Sequence, residues 1–318
     1  MAAKAVLVAT ETDDVTADMV ITELNARNVP VARFNPASIG TDLTVCAHFG
    51  SGTDAVAGQL RTPSRIVDLT RVRSVYWRRP IWPAFDHLAP DDARFAAAQV
   101  HYGLGGILHA LDQPLWVNHP LKNAAADYKP TQLAVAHRMG FTVPPTLVTN
   151  DPDQARSFIN AHQRVLFKTL RWTPYQRNGV PVTGWADPVT AGELDESVRA
   201  APHLFQAVVD KAADLRVLVV GRKVFAVRIE SKMLDWRKDY AALSYSMVDL
   251  PERTEKALLA YLDHFGLVSG SFDLAVDKAS GLWWLELNPN GQWGWLQEPT
   301  GLPMAAAFAE LLTQGASP

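Results

Sequence analysis

The sequence has 318 residues, of which 48% are hydrophobic, so it can bury a sizeable core and should form two or three subdomains. A formal net charge of −3 gives no sign of a nucleic-acid partner, and a single cysteine excludes an internal disulfide framework. No apolar run reaches membrane-spanning length and no secretion signal is evident. We therefore expect a cytoplasmic protein without a membrane partner.

The first 120 residues predict an α/β domain. Residues 5–9 form a continuous apolar run, typical of a strand buried on both faces of a parallel sheet. Residues 15–27 follow with helical spacing of apolar side chains, and a second strand ends at Phe34. The first turn lacks the glycine pattern of a dinucleotide site. Further on, Arg78 follows Trp77 at the end of a strand, where a guanidinium is a good candidate for holding an acidic ligand.

The next segment predicts a helix at residues 129–139 and a strand at residues 165–169. Lys168 lies inside the apolar run of that strand, and a lysine buried without a partner is costly. A lysine whose ammonium ends in a phosphate-binding cleft does not carry this cost, because the phosphate is its partner. Residues 172–189 contain prolines, glycines and tryptophans without helical period, and we interpret them as a flap or hairpin that carries binding function.

Two strand segments and a loop come next. Residues 203–209 predict a strand whose middle could serve as a hinge, and residues 214–229 predict a hairpin. Arg216 shares a face of that hairpin with apolar side chains, so it should lie at the sheet end or face a ligand. Residues 231–240 predict a polar loop, and residues 251–265 predict a helix that leads into the last hairpin.

The last hairpin predicts a cation site. If Asp277 pairs with Leu282 across a four-residue turn, Asp273 lies opposite Glu286, with their Cβ atoms about 5 Å apart. Asn288 projects from the same face of the sheet. Two carboxylates at this distance repel each other, and a hard divalent cation such as Mg2+ removes the conflict while leaving room for phosphate oxygens. The sequence therefore predicts a Mg2+ site at this hairpin.

The order of these features resembles the ATP-grasp superfamily, whose two lobes hold ATP between antiparallel sheets. The features that carry the resemblance are Lys129, Lys168, the strand around Gln206, Asp214-Leu-Arg216, and Asp273 with Glu286-Leu-Asn288. The resemblance implies a mixed α/β (α+β) fold of ATP-grasp type in three parts. These would be an N-terminal α/β domain (1–120), a central subdomain with the flap (121–205) and a C-terminal antiparallel-sheet subdomain (206–318).

Three further blocks resemble one branch of that superfamily. They are Tyr76-Trp-Arg-Arg-Pro80, Asp235-Trp-Arg237, and Leu287-Asn-Pro-Asn-Gly-Gln-Trp-Gly-Trp295. All three are similar to blocks of the maturases of ribosomal peptides, the graspetide or microviridin-type ω-ester and ω-amide ligases, and nearest to their actinobacterial branch. The tail departs from the more usual Asn-Pro-Ser-Gly.

The resemblance implies an ADP-forming macrocyclase of a ribosomal precursor peptide, with both leader and core bound. Asp or Glu side chains of the peptide would become acyl phosphates, which Ser or Thr hydroxyls or Lys amines would attack. It also implies ATP and two Mg2+ ions as cofactors. A homodimer is expected, because relatives commonly form one.

The resemblance assigns a role to each site residue. Lys129 and Lys168 would contact ATP phosphates, and Arg216 and Arg237 would neutralise the developing charge. The remaining nucleotide-binding residues would be Gln206, Ala207, Val208, Val209 and Asp214, the first four through backbone groups around adenine. The metal ligands would be Asp273, Glu286 and Asn288. The peptide-binding residues would be Arg78, Trp172, Tyr175, Arg177, Trp185, Ser231 and Asp235.

Two other functions stay open from the sequence. One is an ATP-grasp ligase of free amino acids, of the glutathione-synthetase or ribosomal-protein glutamate-ligase type. The other is an ATP-binding regulatory module without catalysis, against which the complete set of Lys, Arg, Asp, Glu and Asn residues argues. The choice between ester and amide, the peptide residues that are linked and the leader sequence are not encoded in any motif of this chain.

Overall fold

The computed structural model describes residues 4–50, 55–171, 173, 175–177, 180–182 and 184–316, with the backbone alone at 177, 181 and 182. Backbone contacts divide the chain into two compact units. The first comprises Met1–Pro120, Leu267–Ser269 and Gln292–Pro318, and the second comprises Leu121–Gly266 and Gly270–Gly291. The three-part division predicted from the sequence remains a prediction, and it did not include the return of the last residues to the first unit.

The elements up to the middle of the chain are, in order, β1 (Ala5–Ala9), α1 (Val15–Ala26), β2 (Val31–Phe34), β3 (Thr44–Phe49), β4 (Val56–Arg61), β5 (Ile66–Asp68), β6 (Val72–Trp77), α2 (Pro90–His109), β7 (Leu115–Val117), α3 (Pro120–Ala126), α4 (Lys129–Arg138), β8 (Thr146–Thr149) and α5 (Pro152–Ala161). The second half contains β9 (Val165–Lys168), β10 (Tyr175–Arg177), β11 (Val180–Val182), β12 (Asp187–Val189), β13 (His203–Ala207), β14 (Lys211–Val220), β15 (Lys223–Glu230), β16 (Ser244–Met247), α6 (Glu252–Phe265), β17 (Ser269–Asp277), β18 (Leu282–Asn288), α7 (Gly294–Thr300) and α8 (Met304–Gln314).

The first unit is built on a parallel sheet with the strand order β2-β1-β6-β7. All five residues of β1 are buried, as the continuous apolar run predicted. Asp14 caps α1 by accepting a hydrogen bond from the Ala17 backbone N–H at 3.2 Å. Met304, Phe308 and Leu312 of α8 are fully buried in the same unit. A separate antiparallel sheet, β3-β4-β5, completes the unit.

The second unit contains two larger sheets. The strand order of the first is β12-β9-β13-β8, and all its pairs are antiparallel. The order of the second is β16-β15-β14-β17-β18, which makes β18 an edge strand. Helix α6 packs its buried Tyr261 against Trp284 of β18, with ring centres 4.5 Å apart. Gly266 ends this helix in the left-handed conformation, with φ +65°.

The last hairpin pairs differently from the prediction at its turn. Val276, not Asp277, lies opposite Leu282, so the strands are out of the predicted register by one residue there. The register then shifts between Asp273 and Leu274, and Leu285 is the extra residue of a β-bulge on β18. The bulge restores the predicted register beyond it. No helix among the described residues has the length and hydropathy needed to cross a bilayer.

Candidate active site

The acidic end of the last hairpin brings together three oxygen-bearing side chains. Asp273 on β17 lies opposite Glu286 on β18, so the pairing predicted at this point is confirmed. Asn288 follows two residues later on the same strand. Its amide nitrogen donates to Asp273 Oδ2 at 2.9 Å and lies 3.4 Å from Glu286 Oε1. Two carboxylates and one amide therefore converge on one face of the sheet.

Cationic side chains neutralise both carboxylates. Arg216 Nη1 on β14 lies 2.6 Å from Asp273 Oδ2. Lys129 Nζ, from the first residue of α4, lies 3.1 Å from Glu286 Oε2. Arg216 is buried, and its partner explains how an arginine is tolerated inside an apolar strand. The predicted arginine thus faces the acidic cluster.

Burial and neighbouring charge separate the protonation of the two acids. Burial raises the pKa of Asp273, and the Arg216 charge offsets this only in part. Burial acts in the same direction on Glu286, but the charges of Lys129 and Lys168 prevail and lower the pKa of Glu286 to about 2. Glu286 therefore stays ionised to a lower pH than a free glutamate, and Asp273 takes up a proton more readily than a free aspartate.

Lys168 ends β9 and has a neutral partner. Its Nζ donates to Gln206 Oε1 at 2.7 Å, and Gln206 Nε2 donates to the Thr146 hydroxyl at 2.9 Å. Because this acceptor carries no charge, burial dominates and lowers the pKa of Lys168 to about 8. An anionic ligand beside the ammonium would reverse that shift. The Gln206 side chain thus orients a lysine in addition to any role of its backbone.

The strand exit predicted to bind adenine uses two of its backbone donors within the fold. The Ala207 N–H donates to Pro145 O, and the Val208 N–H donates to Arg164 O, both at 2.9 Å. These two N–H groups serve the protein rather than a ligand. The prediction that residues around Gln206 to Val209 hold adenine through backbone groups remains a prediction, and these two N–H groups would not be among those that do so.

Asp214, predicted to contact the nucleotide, is held by a lysine that the sequence analysis missed. Lys211 Nζ lies 2.7 Å from Asp214 Oδ1 and 2.5 Å from Oδ2, and it also donates to Leu234 O at 2.7 Å. Burial raises the pKa of Asp214 to about 6 despite this lysine. No recognisable spacing marks such a pair at the start of a strand.

Asp235 holds Arg237 in place, and its predicted contact with a peptide remains a prediction. Arg237 Nε and Nη2 lie 2.8 and 2.6 Å from the two Asp235 oxygens, a bidentate pair. The same carboxylate accepts from the Ala186 N–H at 3.4 Å. The guanidinium also lies over the Trp185 ring, 5.7 Å from its centre. Asp235 therefore joins the base of the predicted flap to an arginine of the site.

The predicted flap forms a hairpin over its described residues. β10 pairs with β11 so that Tyr175 lies opposite Val182, and Tyr175 is exposed. Arg177 lies on β10, described by its backbone alone, and Trp172 lies outside the described residues. The hydroxyl of Ser231 accepts from the Met233 N–H at 3.0 Å. Contact of these residues with a peptide remains a prediction.

Arg78 belongs to a buried network of the first unit. It is only 3% exposed, it donates to the Gln292 side-chain oxygen, and its Nε lies 3.6 Å from Asp14 Oδ2. The Thr10 hydroxyl donates to the same Asp14 oxygen at 2.7 Å. Contact of Arg78 with the peptide remains a prediction, and in this structure its guanidinium is turned toward protein partners and away from solvent.

Gly291 is a second residue that the sequence analysis missed. A Cβ atom at this position would lie 2.8 Å from Arg216 Nη2 and 2.6 Å from Ser271 Cβ.

We expect Gly291→Ala to displace the guanidinium from Asp273 and to lower ATP turnover by at least about tenfold, since misplacing a reacting group by 1 Å can cost about a hundredfold. Steady-state ADP release measures this. Gly192→Ala is the control, because nothing lies within 4 Å of a Cβ there, and equal turnover in both variants would contradict the expectation.

The donor set suits a hard cation. Across the described parts of the chain, no three His, Cys, Asp or Glu side chains form a metal-binding group. A cation here would thus rest on two carboxylates and the Asn288 amide, whose oxygen becomes available when the amide turns over. All three are oxygen ligands, and a set of few protein ligands fits Mg2+, which keeps water and phosphate oxygens around it.

Comparisons with solved structures agree with the fold predicted from the sequence. A RiPP-associated ATP-grasp ligase of Chryseobacterium gregarium, solved with ADP and a leader and core peptide, is 26% identical over 98% of this chain and 96% of its own, with a TM-score of 0.88. Two macrocyclases of Microcystis aeruginosa MRC match as well. MdnC, bound with the precursor peptide MdnA, is 26% identical over 97% of this chain and 99% of its own, with a TM-score of 0.87. MdnB is 28% identical over 97% and 99%, with a TM-score of 0.82.

These matches confirm the ATP-grasp fold and the resemblance to ligases associated with ribosomal peptides. They span nearly the whole of this chain, including the N-terminal α/β part. No protein-family model matches the chain, and no curated protein matches it. The actinobacterial branch remains a prediction.

Proposed function

We propose that this chain, an ATP-grasp ligase by its fold, is an ADP-forming macrocyclase of a ribosomal precursor peptide. The observation that carries the proposal is the set of Lys129, Lys168, Arg216 and Arg237 around the cluster of Asp273, Glu286 and Asn288. This arrangement occurs in a chain that matches peptide ligases over 97–98% of its length.

The reaction would run in two steps at the same site. A carboxylate oxygen of a Glu or Asp in the peptide attacks the γ-phosphorus of ATP, and ADP leaves. A Ser or Thr hydroxyl, or a Lys amine, of the same peptide then attacks the acyl carbon, and phosphate leaves as the nucleophile loses its proton. Each link thus removes one water in total. No nucleophile from the protein is needed, so positioning and charge neutralisation supply the catalysis.

Four cationic side chains would handle the phosphate charge. Lys168 is suited to a phosphate because burial leaves it short of anionic partners in the free protein. Lys129 and Arg216 touch the acidic cluster, so they are placed to bridge it to phosphate oxygens. Arg237 pairs with Asp235 through Nε and Nη2, so Nη1 is the part of its guanidinium that would reach a developing acyl phosphate.

Mg2+ would be held by Asp273, Glu286 and Asn288. When bound it supplies charge neutralisation at the β- and γ-phosphate oxygens and helps to align the γ-phosphate for transfer. Use of a second ion is part of the proposal and rests on the resemblance alone. Burial raises the pKa of Asp273, and a bound cation would act in the opposite direction and favour its carboxylate form.

Peptide recognition is assigned to the segment around the flap. Tyr175 is exposed on β10, and Trp185 is tied to Arg237 at the base of the hairpin. Because Arg237 belongs to the proposed site, peptide bound at the hairpin would lie beside the phosphates. Assembly as a homodimer also belongs to the proposal, on the resemblance alone. Location in the cytoplasm belongs to it on the composition, since a single cysteine fits a reducing compartment.

Mass spectrometry of a precursor peptide tests the proposal. Short acid- and Thr-rich peptides encoded beside this gene are incubated with the protein, Mg2+ and ATP, and we expect one water to be lost for each ADP released. The control replaces ATP by a non-hydrolysable analogue. ADP release with free amino acids and no dehydrated peptide would favour the amino-acid ligase, and nucleotide binding without ADP release under any of these conditions would favour the regulatory module.

A further inference from the structure

A glutamine on α4 clamps the strand that carries two of the three cluster residues. Gln132 is 3% exposed, and its Oε1 accepts from the Leu287 N–H at 2.9 Å. Its Nε2 donates to Leu287 O at 2.8 Å and to Ala126 O at 2.7 Å. The side chain therefore pairs with both backbone groups of the one residue between Glu286 and Asn288.

The location of this clamp makes it more than a packing contact. β18 is an edge strand, and the Leu287 backbone groups that meet Gln132 are those left unpaired by β17. A carboxamide carries the same donor and acceptor as a peptide group, so Gln132 acts as a one-residue substitute for the missing neighbouring strand. The adjacent residues Glu286 and Asn288 consequently have little freedom to shift along or away from the sheet.

The orientation of the Gln132 amide follows from its partners. Nε2 faces two carbonyl oxygens, from Ala126 and Leu287, so a reversed amide would set three oxygens against one another. Every donor of the side chain is used, and the buried amide has no need of water. The clamp is thus a buried polar contact in which every donor has an acceptor.

The same helix also supplies a cation to the cluster. Lys129 lies three residues before Gln132, on the same face of α4, and its Nζ lies 3.1 Å from Glu286 Oε2. One helix thus holds the backbone of β18 through Gln132 and the Glu286 carboxylate through Lys129. Fixing the helix against the strand fixes both groups together.

We propose that Gln132 is a positioning residue of the cation site, which sets the spacing of Glu286, Asn288 and Lys129 without touching the ligand itself. This inference rests on the proposed function, because it assumes that the cluster holds a divalent cation with the nucleotide. Groups that orient metal ligands in this way typically change metal affinity by about 10- to 100-fold when removed.

A matched control exists on the neighbouring strand. The Asn118 carboxamide donates to Ser269 O at 2.9 Å and accepts from the Val268 N–H at 2.8 Å, and Asn118 is 1% exposed. It forms the same kind of clamp, but four residues before Asp273 rather than between two cluster residues. Gln132→Met and Asn118→Leu each delete one buried carboxamide and keep the side-chain volume. A purely structural role predicts equal effects from the two.

The experiment measures Mn2+ binding by electron paramagnetic resonance at saturating ADP, with thermal unfolding of each variant alongside. We expect Gln132→Met to raise the Mn2+ dissociation constant about tenfold or more, and Asn118→Leu to leave it within about twofold of the parent at a similar loss in unfolding temperature. We also expect Gln132→Met to speed amide hydrogen exchange at Leu287. If Gln132→Met does not fold, Gln132→Glu, which keeps the acceptor and loses both donations, replaces it with the same expected direction.

Parent-like Mn2+ affinity in the folded Gln132 variant would overturn the inference and leave the proposed function standing. An equal loss of affinity in Asn118→Leu would do the same, because it would reduce Gln132 to a general stabiliser. A parent protein that binds no Mn2+ with ADP would overturn the proposed function itself, and the inference with it.

Discussion

Replacing Glu286 by glutamine should abolish most of the ATP-dependent turnover of a precursor peptide, by at least about a hundredfold, the usual cost of one lost charge-stabilising group. Glu286 is ionised, because Lys129 and Lys168 hold its pKa at about 2 against the effect of burial. Glutamine keeps the volume and one acceptor oxygen but loses the charge that would bind a divalent cation. Coupled measurement of ADP release, with mass spectrometry of the peptide, gives the turnover.

The variant should lose some stability as well, because the attraction to Lys129 and Lys168 outweighs the cost of burying the Glu286 charge. The unfolding temperature should therefore fall, and its dependence on Mg2+ separates this effect from the loss of the cation site. Excess Mg2+ should restore part of the activity. Glu252→Gln, on the exposed face of α6, makes the same charge change away from the cluster and should behave as the parent. Full turnover in Glu286→Gln at ordinary Mg2+ would rule out the proposed site.

Replacing Lys168 by methionine should weaken nucleotide binding by at least about tenfold, because one phosphate partner is lost.

The same replacement should also abolish a proton uptake that accompanies ADP binding. In the free protein burial lowers the pKa of Lys168 to about 8, and phosphate oxygens beside the ammonium would raise it again. ADP binding at mildly alkaline pH should therefore take up a proton in the parent but not in Lys168→Met. Calorimetry in buffers of different ionisation enthalpy measures the uptake.

The same lysine should also give stability a distinct pH dependence. Lys168 has a folded pKa of about 8, whereas a lysine in the unfolded chain has a pKa of about 10.4. Between these values the unfolded chain binds more protons, so the free energy of unfolding rises with pH. We expect the stability of the parent relative to Lys168→Met to increase by up to roughly 3 kcal/mol across this window and to be constant below it.

Urea unfolding at several pH values tests whether the stability of the parent relative to Lys168→Met increases with pH. Lys278→Met serves as the control, because Lys278 is 71% exposed and pairs with Asp210 at the surface. The difference in free energy of unfolding between Lys278→Met and the parent should not change with pH. If the difference in free energy of unfolding between Lys168→Met and the parent also did not change with pH, the Lys168 ammonium would be solvated in the free protein. The burial argument for a phosphate site would then fail.

The last hairpin shows how far sequence alone can reach. The pairing of Asp273 with Glu286 was predicted correctly, but from a turn that is wrong by one residue, because the Leu285 bulge compensates for it. A bulge depends on how each strand fits its other neighbours, such as the contact of Trp284 N–H with Thr142 O at 2.8 Å. The alternation of apolar residues does not contain that information.

The sequence predicted which residues carry charge at the site better than it predicted which residues surround them. Lysines and arginines inside apolar runs marked Lys168 and Arg216 as special, because their burial demands a partner. Arg78 was marked by its place beside Trp77 at a strand end, a pattern that did not reveal its partner Gln292, 214 residues away in sequence. Gln132 and Gly291 gave no signal at all, since a helical glutamine and a loop glycine are ordinary until the strand beside them is known. Motifs predict the groups that carry charge, and the tertiary contacts decide what holds them.

The return of residues 292–318 to the first unit sets the order in which the chain can mature during synthesis. Helix α8 buries Met304, Phe308 and Leu312 in that unit, yet it leaves the ribosome after the whole of the second unit. The N-terminal segment must therefore wait with apolar surface uncovered while the ligand-binding half is completed. A nascent chain that has emerged as far as residue 291 would have a complete second unit, with all its cluster residues, and a first unit that still lacks its final helix.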